Sequence, residues 1–305
     1  MKNISQEIKD RIIAYNSGRA VKITPHTTKQ NAPADNPLIY SVFTANNEFL
    51  GVIHLSPDKF PARLECDYQK TIDFHKSLGR RSLVQLPEFC GWSNGLSYTF
   101  THGLYPLRSN ISWAIQKRYI APYILRWIAE HSPVQLSEVV TLKNNLTELY
   151  QEQALQRQIR ENIENALNAL YVGDWKPILV PSHNDFWKGN IMLPTDKLLS
   201  REFRLIDCGA SSIDGYGLQD FVSLGRSFAI SSRAISKALG YFASNCSLSK
   251  EQLMFQYLAG MAHLYKNLGE FPLERFHQKL NREVSYVGPA LLNLNESIDI
   301  KNTQR

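Results

Sequence analysis

Residues 180–220, VPSHNDFWKGNIMLPTDKLLSREFRLIDCGASSIDGYGLQD, constrain this chain more than any other stretch. A polar loop carrying His183, Asp185, Lys188 and Asn190 is followed by two apolar, strand-like runs, 191–193 and 203–206. The second run ends in Asp207, with Gly209 two residues on. The order is therefore H-x-D-x-x-x-x-N, a hairpin, then D-x-G. It supplies one carboxylate able to receive a proton, and an amide and a second carboxylate whose oxygens suit a hard cation such as Mg²⁺. No cysteine pair or second histidine accompanies them in the loop, which argues against zinc. Transfer of a phosphoryl group needs such a set: a group that orients the attacking hydroxyl and oxygen ligands for the metal on the phosphates.

The segment resembles the catalytic core of the aminoglycoside phosphotransferase and choline kinase family, part of the protein-kinase-like superfamily. The resemblance is carried by His183-Asn184-Asp185, Asn190, Leu205-Ile206-Asp207, Gly215-Tyr216-Gly217 and Asp220-Phe221, and is dense over these roughly forty residues. It implies an α+β, bilobal protein-kinase-like fold, with a small N-terminal antiparallel-sheet lobe over 1–101 and a larger, mainly helical lobe over 102–305. It further implies ATP and Mg²⁺ as cofactors and a hydroxyl of a small molecule (a sugar, aminosugar or amino alcohol) as acceptor. Asp185 would then be the catalytic base, Asn190 and Asp207 the metal ligands, and Asp220 a hydrogen-bonding anchor for the loop. Lys188 would either neutralise the transferring phosphate or stand as a solvated lysine. His183 would either carry a proton or brace the loop backbone.

Upstream, Ile4, Ile8, Ile12 and Ile13 fall at helical spacing, and residues 20–23, 38–44 and 48–55 read as three strands. The polar, proline-interrupted loop between the first two would cover the phosphates in a kinase-like lobe. Glycines normally let such a loop approach its ligand, yet none occurs between Gly18 and Gly51. A second departure is His54, which stands where the third strand of the family carries a phosphate-gripping lysine. Either His54 takes that part, or Lys22 on the first strand reaches in, or the clamp is absent. The spacing of Leu64, Tyr68, Ile72 and His75 predicts a helix over 61–78, on which Glu65 is the candidate carboxylate facing the clamp. Residues 83–87, 88–92 and 96–101 read as strands, with Ser93-Asn94-Gly95 turning between the last two. Tyr98 to Thr101 would form the hinge, the backbone at Tyr98 and Phe100 offering hydrogen bonds to an adenine edge.

After Gly103 helical spacing takes over. A helix starting near Ser109 or Asn110 is interrupted by Pro122. The pattern over 136–171 is long for one helix and predicts a break near 151–158. Beyond Asp220, helices are expected over 221–230, 235–243, 250–268 and 274–294, with Ser249 and Gln252 in capping-box positions.

The 305 residues suffice for two lobes, and 43% hydrophobic with 20% charged residues is ordinary for a globular chain. A net charge of +6, spread without long basic runs, describes a solvated surface or a positive cleft for phosphates, and no nucleic-acid footprint. Cys66, Cys90, Cys208 and Cys246 show no C-x-x-C spacing. No stretch reads as a signal peptide or a membrane span, so a cytoplasmic protein without membrane or nucleic-acid partners is expected. Two further readings stay open: a kinase-like binding module that has lost catalysis, and a kinase-fold enzyme acting on protein. A metallohydrolase built on His183 and Asp185 lacks the further histidine ligands it would need.

Overall fold

The computed structural model describes residues 4–26, 36–79, 82–106, 125, 128, 134–135, 139–194, 203–268 and 271–294. Apart from Leu125 and Ile128, the helix expected around 109–128 lies outside the described residues, as does most of the loop expected to cover the phosphates. The chain divides into two compact units, residues 1–108 with 191–210, and residues 109–190 with 211–305. A boundary at 101 does not capture this, because the chain returns to the first unit for a second strand pair.

The first unit is built on an antiparallel sheet in the order β1-β2-β3-β5-β4, with β1 Val21–Pro25, β2 Leu38–Thr44, β3 Phe49–Leu55, β4 Phe89–Ser93 and β5 Leu96–His102. Alternation sends Tyr40, Val42, Ile53, Leu55, Tyr98 and Phe100 to one face. There they bury against Ile4, Ile8 and Ile12 of the N-terminal stretch that leads into and forms α1, Gln6–Tyr15. The β4–β5 hairpin turns through Asn94 and Gly95, both at positive φ (49° and 75°), as a tight turn between twisted strands requires. Helix α2, Arg63–Leu78, packs against β4 and β5. Its N-cap residue, Ala62, offers no side-chain acceptor. Ser56 supplies one instead: its Oγ accepts from the Leu64 N–H at 3.1 Å and pairs with Ser97 Oγ at 2.7 Å, which fastens the start of the helix to the sheet.

Residues 83–87 do not form the expected strand. Val84 makes a single parallel bridge to Leu205, flanked by Gln85 N–H to Leu205 O and Leu205 N–H to Leu83 O, both 2.8 Å. The partner strand is only two residues long, and Pro87 has no N–H with which to extend the pairing. A small sheet in the order β10-β9-β6 completes this unit, from Tyr105–Pro106 (β6), Ile191–Leu193 (β9) and Arg204–Leu205 (β10).

In the second unit, Val134–Gln135 (β7), Ile178–Ser182 (β8) and Ser212–Gly215 (β11) form a sheet in the order β11-β8-β7. The long helical pattern breaks as expected into α3, Val140–Tyr150, and α4, Arg157–Val172. Then follow α5 Leu218–Ser227, α6 Ser232–Cys246, α7 Lys250–Lys266 and α8 Leu273–Leu292. Ser249 and Gln252 make the anticipated capping box. Helix α7 is central, packing against α3, α4, α5 and α8, with every residue from Gln256 to Ala262 buried. Among the described residues no helix is long and apolar enough to cross a membrane. All four cysteines are free thiols, and Cys66 is exposed.

Gln256 is a polar residue in this core because it closes a backbone gap. Its Oε1 accepts from the Ile178 N–H at 3.1 Å, and its Nε2 donates to Ile178 O and, at 3.1 Å, to Tyr216 O. One amide thus joins β8 to the turn before α5. Gln256→Leu leaves a buried N–H and buried carbonyls without that partner and is expected to cost about 2–4 kcal/mol in denaturant unfolding.

Candidate active site

The H-x-D-x-x-x-x-N segment leaves the end of β8 in the second unit. Ser182 Oγ accepts from the Gly217 N–H at 2.8 Å, which ties the strand end to the start of α5. One turn into that helix, Asp220 is buried, with one oxygen accepting from the His183 N–H at 2.7 Å and the other from the Asn184 N–H at 2.9 Å. Asn184 holds φ at 64°, and its Oδ1 accepts from Gln219 Nε2 at 2.7 Å. His183 is buried and stacks on Phe186 with ring centroids 5.3 Å apart, which is a bracing position.

Asp185, by contrast, is exposed. Asn190 Nδ2 donates to Asp185 O at 2.9 Å and Asp185 Oδ2 at 3.1 Å, so the amide is oriented with Oδ1 on its other side. Asp185 and Asn190 are therefore brought together. Lys188 is exposed at the start of a short 3₁₀ turn, its N–H donating to Ser227 Oγ at 3.0 Å. Between them Trp187 is 45% exposed, with its indole lying over Gly189, where an added Cβ would come within 2.4 Å of the ring. A side chain at 189 would have to displace the indole from this position.

Asp207 belongs to the first unit and follows β10 with φ at 58°, so its carboxylate leaves a turn and not a strand. Helix α2 packs on this turn: Lys70 Nζ donates to Gly209 O at 3.1 Å, and a Cβ on Gly209 would sit 2.7 Å from Asp67 Oδ1. Burial raises the Asp67 pKa, Arg63 and Lys70 oppose the rise, and the nearby charge of Asp207 adds to it. His54 on β3 is within electrostatic reach of the same carboxylate. Its pKa is lowered by burial, raised in part by Asp207 and lowered further by His26. Among the described residues, no group of three or more His, Cys, Asp or Glu side chains is arranged to hold a metal by itself.

No protein-family model matches the sequence, and no curated protein matches it. Solved structures do, over nearly the whole chain. A macrolide 2'-phosphotransferase from Brachybacterium faecium superposes with a TM-score of 0.51 at 11% identity, covering 95% of this chain and 98% of that one. A choline/ethanolamine kinase family protein from Mesorhizobium loti gives 0.52 at 10% identity, covering 94% and 98%. A candidate fructosamine-3-kinase from Haemophilus somnus gives 0.53 at 11% identity, covering 91% and 96%. The chain has a protein-kinase-like fold.

In the first unit, four of the residues chosen for nucleotide binding are placed differently from the expectation. Tyr98 and Phe100 lie inside β5, paired on one side with β3 and on the other with β4, and their rings are buried under α1. Backbone committed on both sides has nothing to offer an adenine edge, so neither residue is a hinge contact. Glu65 is exposed and acts electrostatically on Cys90 of β4. The α2 carboxylate that meets the Asp207 turn is Asp67. Lys22 is exposed and pairs with Phe43, four residues along β2 from the partner of His54. That places it about 13 Å further along the sheet. Asp67 had a sequence signal: it falls on the stripe Leu64, Thr71, Phe74 and Leu78 that α2 buries. Trp187 and Gly189 had none beyond their place in the loop.

The electrostatics of Asp220 give a test of the anchor. Burial raises its pKa from 3.8 to about 6, against the lowering effects of His183 and of the two backbone N–H donors. The folded state therefore holds this proton more tightly than the unfolded chain. The group's contribution to stability is fully present below about pH 4 and is lost as pH rises through about 6; a shift of that size corresponds to on the order of 3 kcal/mol. Unfolding free energies of the wild type and Asp220→Asn at about pH 4 and about pH 7 are expected to diverge accordingly. The wild type should lose stability relative to the variant as pH rises.

Proposed function

We propose that the chain is an ATP- and Mg²⁺-dependent phosphotransferase that moves the γ-phosphoryl group to a hydroxyl of a small molecule, a sugar, aminosugar or amino alcohol. The observation that carries this reading is the 183–190 loop: a buried carboxylate fixes its backbone while Asp185, hydrogen-bonded to Asn190, is left exposed. Exposure lets Asp185 meet a substrate hydroxyl, accept its hydrogen bond and take its proton as the oxygen attacks phosphorus. The similar solved structures bear phosphotransferase and kinase names, which agrees with that chemistry.

Asn190 and Asp207 are the residues that would hold Mg²⁺. The donor set fits: the Asn190 amide nitrogen is used by Asp185, which turns the amide oxygen outward, and Asp207 stands near the second carboxylate, Asp67, whose mutual repulsion a cation relieves. Few protein ligands are needed, since Mg²⁺ takes most of its oxygens from phosphates and water. When bound, it neutralises charge on the phosphates. Lys188 is assigned to the transferring phosphate and His183 to bracing the loop.

A binding module without catalysis is the second reading, favoured by His54 in the place of a lysine and by the glycine-free stretch before β2. Asp185→Asn separates the two. The proposal expects wild-type ATP consumption in the presence of an accepting alcohol from a panel of sugars, aminosugars and amino alcohols. In the variant kcat should fall by about 10²–10⁴, with nucleotide affinity and unfolding midpoint kept. A wild type that binds nucleotide yet turns over with none of the panel favours the module.

A further inference from the structure

The sheet of the first unit carries a row of side chains that the loop chemistry does not account for. The His26 N–H donates to Ile39 O at 2.8 Å, continuing the β1–β2 pairing one residue past the end of β1. Ile39 pairs with His54 across β2 and β3, and His54 pairs with Thr99 across β3 and β5. Residues paired across neighbouring strands project from the same face. His26 and His54 therefore flank Ile39 on one face, their backbones two strand spacings, or about 10 Å, apart. The face is the one opposite α1, since the alternate residues Tyr40, Ile53 and Phe100 enter the α1 core. It is also the face from which His54 senses Asp207, and the two histidines sense each other.

The two imidazoles are differently held. His54 is half-buried within β3. His26 is exposed, but its Nδ1 lies 3.2 Å from Oγ of the buried Ser41. A serine hydroxyl that donates to Nδ1 puts the ring proton on Nε2, so the outer nitrogen is presented as a donor. An exposed ring fixed in this way adds nothing to the core. Among the described residues, no third His, Cys, Asp or Glu joins the pair in a group arranged to hold a metal.

We infer that His26 and His54 together hold the phosphates of the nucleotide, doing with two imidazole donors what a single lysine does elsewhere in this fold. The assignment rests on the nucleotide reading above. Oligophosphates carry acceptor oxygens on successive phosphorus atoms, so two donors spaced along the sheet address separate phosphates, whereas a lysine reaches them from one point. Asp207 and Asp67 are the carboxylates on the same side, and Lys70 and Arg63 of α2 are the cations beside them.

The test is calorimetric titration of the full chain with ADP and, separately, with adenosine, both without divalent metal. The variants are His26→Ala, His54→Ala, the double variant, and His26→Ala combined with His54→Lys. Each single alanine should weaken ADP about tenfold, the loss of one hydrogen bond to a charged group, with adenosine unchanged. The double variant should weaken it further, and lysine at 54 should recover affinity in the His26→Ala background. His26→Ala binding ADP within twofold of the wild type overturns the assignment, as does an equal loss for adenosine, which would place the effect away from the phosphates. A wild type that binds no ADP removes the nucleotide reading itself and this inference with it.

Discussion

The arrangement of the 183–190 loop depends on one buried anion. Asp220 sits in the first turn of α5, where unpaired N–H groups and the helix dipole favour negative charge. It uses both oxygens on consecutive N–H groups of a different segment. A single side chain thereby sets two successive backbone orientations, and the positive φ at Asn184 becomes tolerable because the carboxylate holds it there. Serine at 182 and the amide of Gln256 fix the strand end and the preceding turn, so both ends of the span Asp220 crosses are themselves tied. The burial cost on this carboxylate exceeds what its partners return, which is why its pKa rises instead of falling. The loop is thus held by an interaction that costs the unit stability once the carboxyl ionises and specifies its geometry.

In the first unit the corresponding constraint is steric. At Gly209, in the turn after Asp207, the Asp67 carboxylate of α2 fills the space a Cβ would take, so a larger residue there must displace that side chain. Close approach of the helix brings a second carboxylate and Lys70 to the turn, and the remote cap from Ser56 fixes where that helix begins. The position of Asp67 thus follows from how α2 is fastened to the sheet.

Much of this was legible in the sequence, and the errors have physical causes. Hairpins and helices announced themselves by turn residues and period, down to the capping box at Ser249 and the break between α3 and α4. The failure on α2 was one of phase. Leu64, Tyr68, Ile72 and His75 make a plausible stripe, but the helix buries Leu64, Thr71, Phe74 and Leu78. Both stripes share Leu64, and only the sheet and turn against which the helix lies decide between them. Asp67 falls on the buried stripe, and Glu65 does not. Tyr98 and Phe100 failed for a related reason: alternation reveals a strand but not that strands flank it on both sides. Alternation ends before His26, and nothing in the sequence signals that the β1–β2 pairing runs on to meet Ile39 one residue beyond β1.

Backbone conformation marks the same two segments. Of the seven non-glycine residues with positive φ among the described residues, Asn47 and Asn94 lie in hairpin connections, Ser17 and Ser247 at helix C-termini, and Ala229 in the turn between α5 and α6. Those positions have local reasons for the left-handed conformation. Asn184 and Asp207 do not; they flank Asp185 in one segment and carry the candidate metal carboxylate in the other. Asn and Asp reach this conformation more readily than other side chains, so the cost is modest, and it persists where the surroundings enforce it. In one segment the enforcement comes from a carboxylate buried at a net cost, and in the other from a helix whose Asp67 side chain lies against Gly209 of the same turn. The two conformations thus fall in the segments that carry the candidate catalytic and metal-binding carboxylates, and each is held by a contact from a helix.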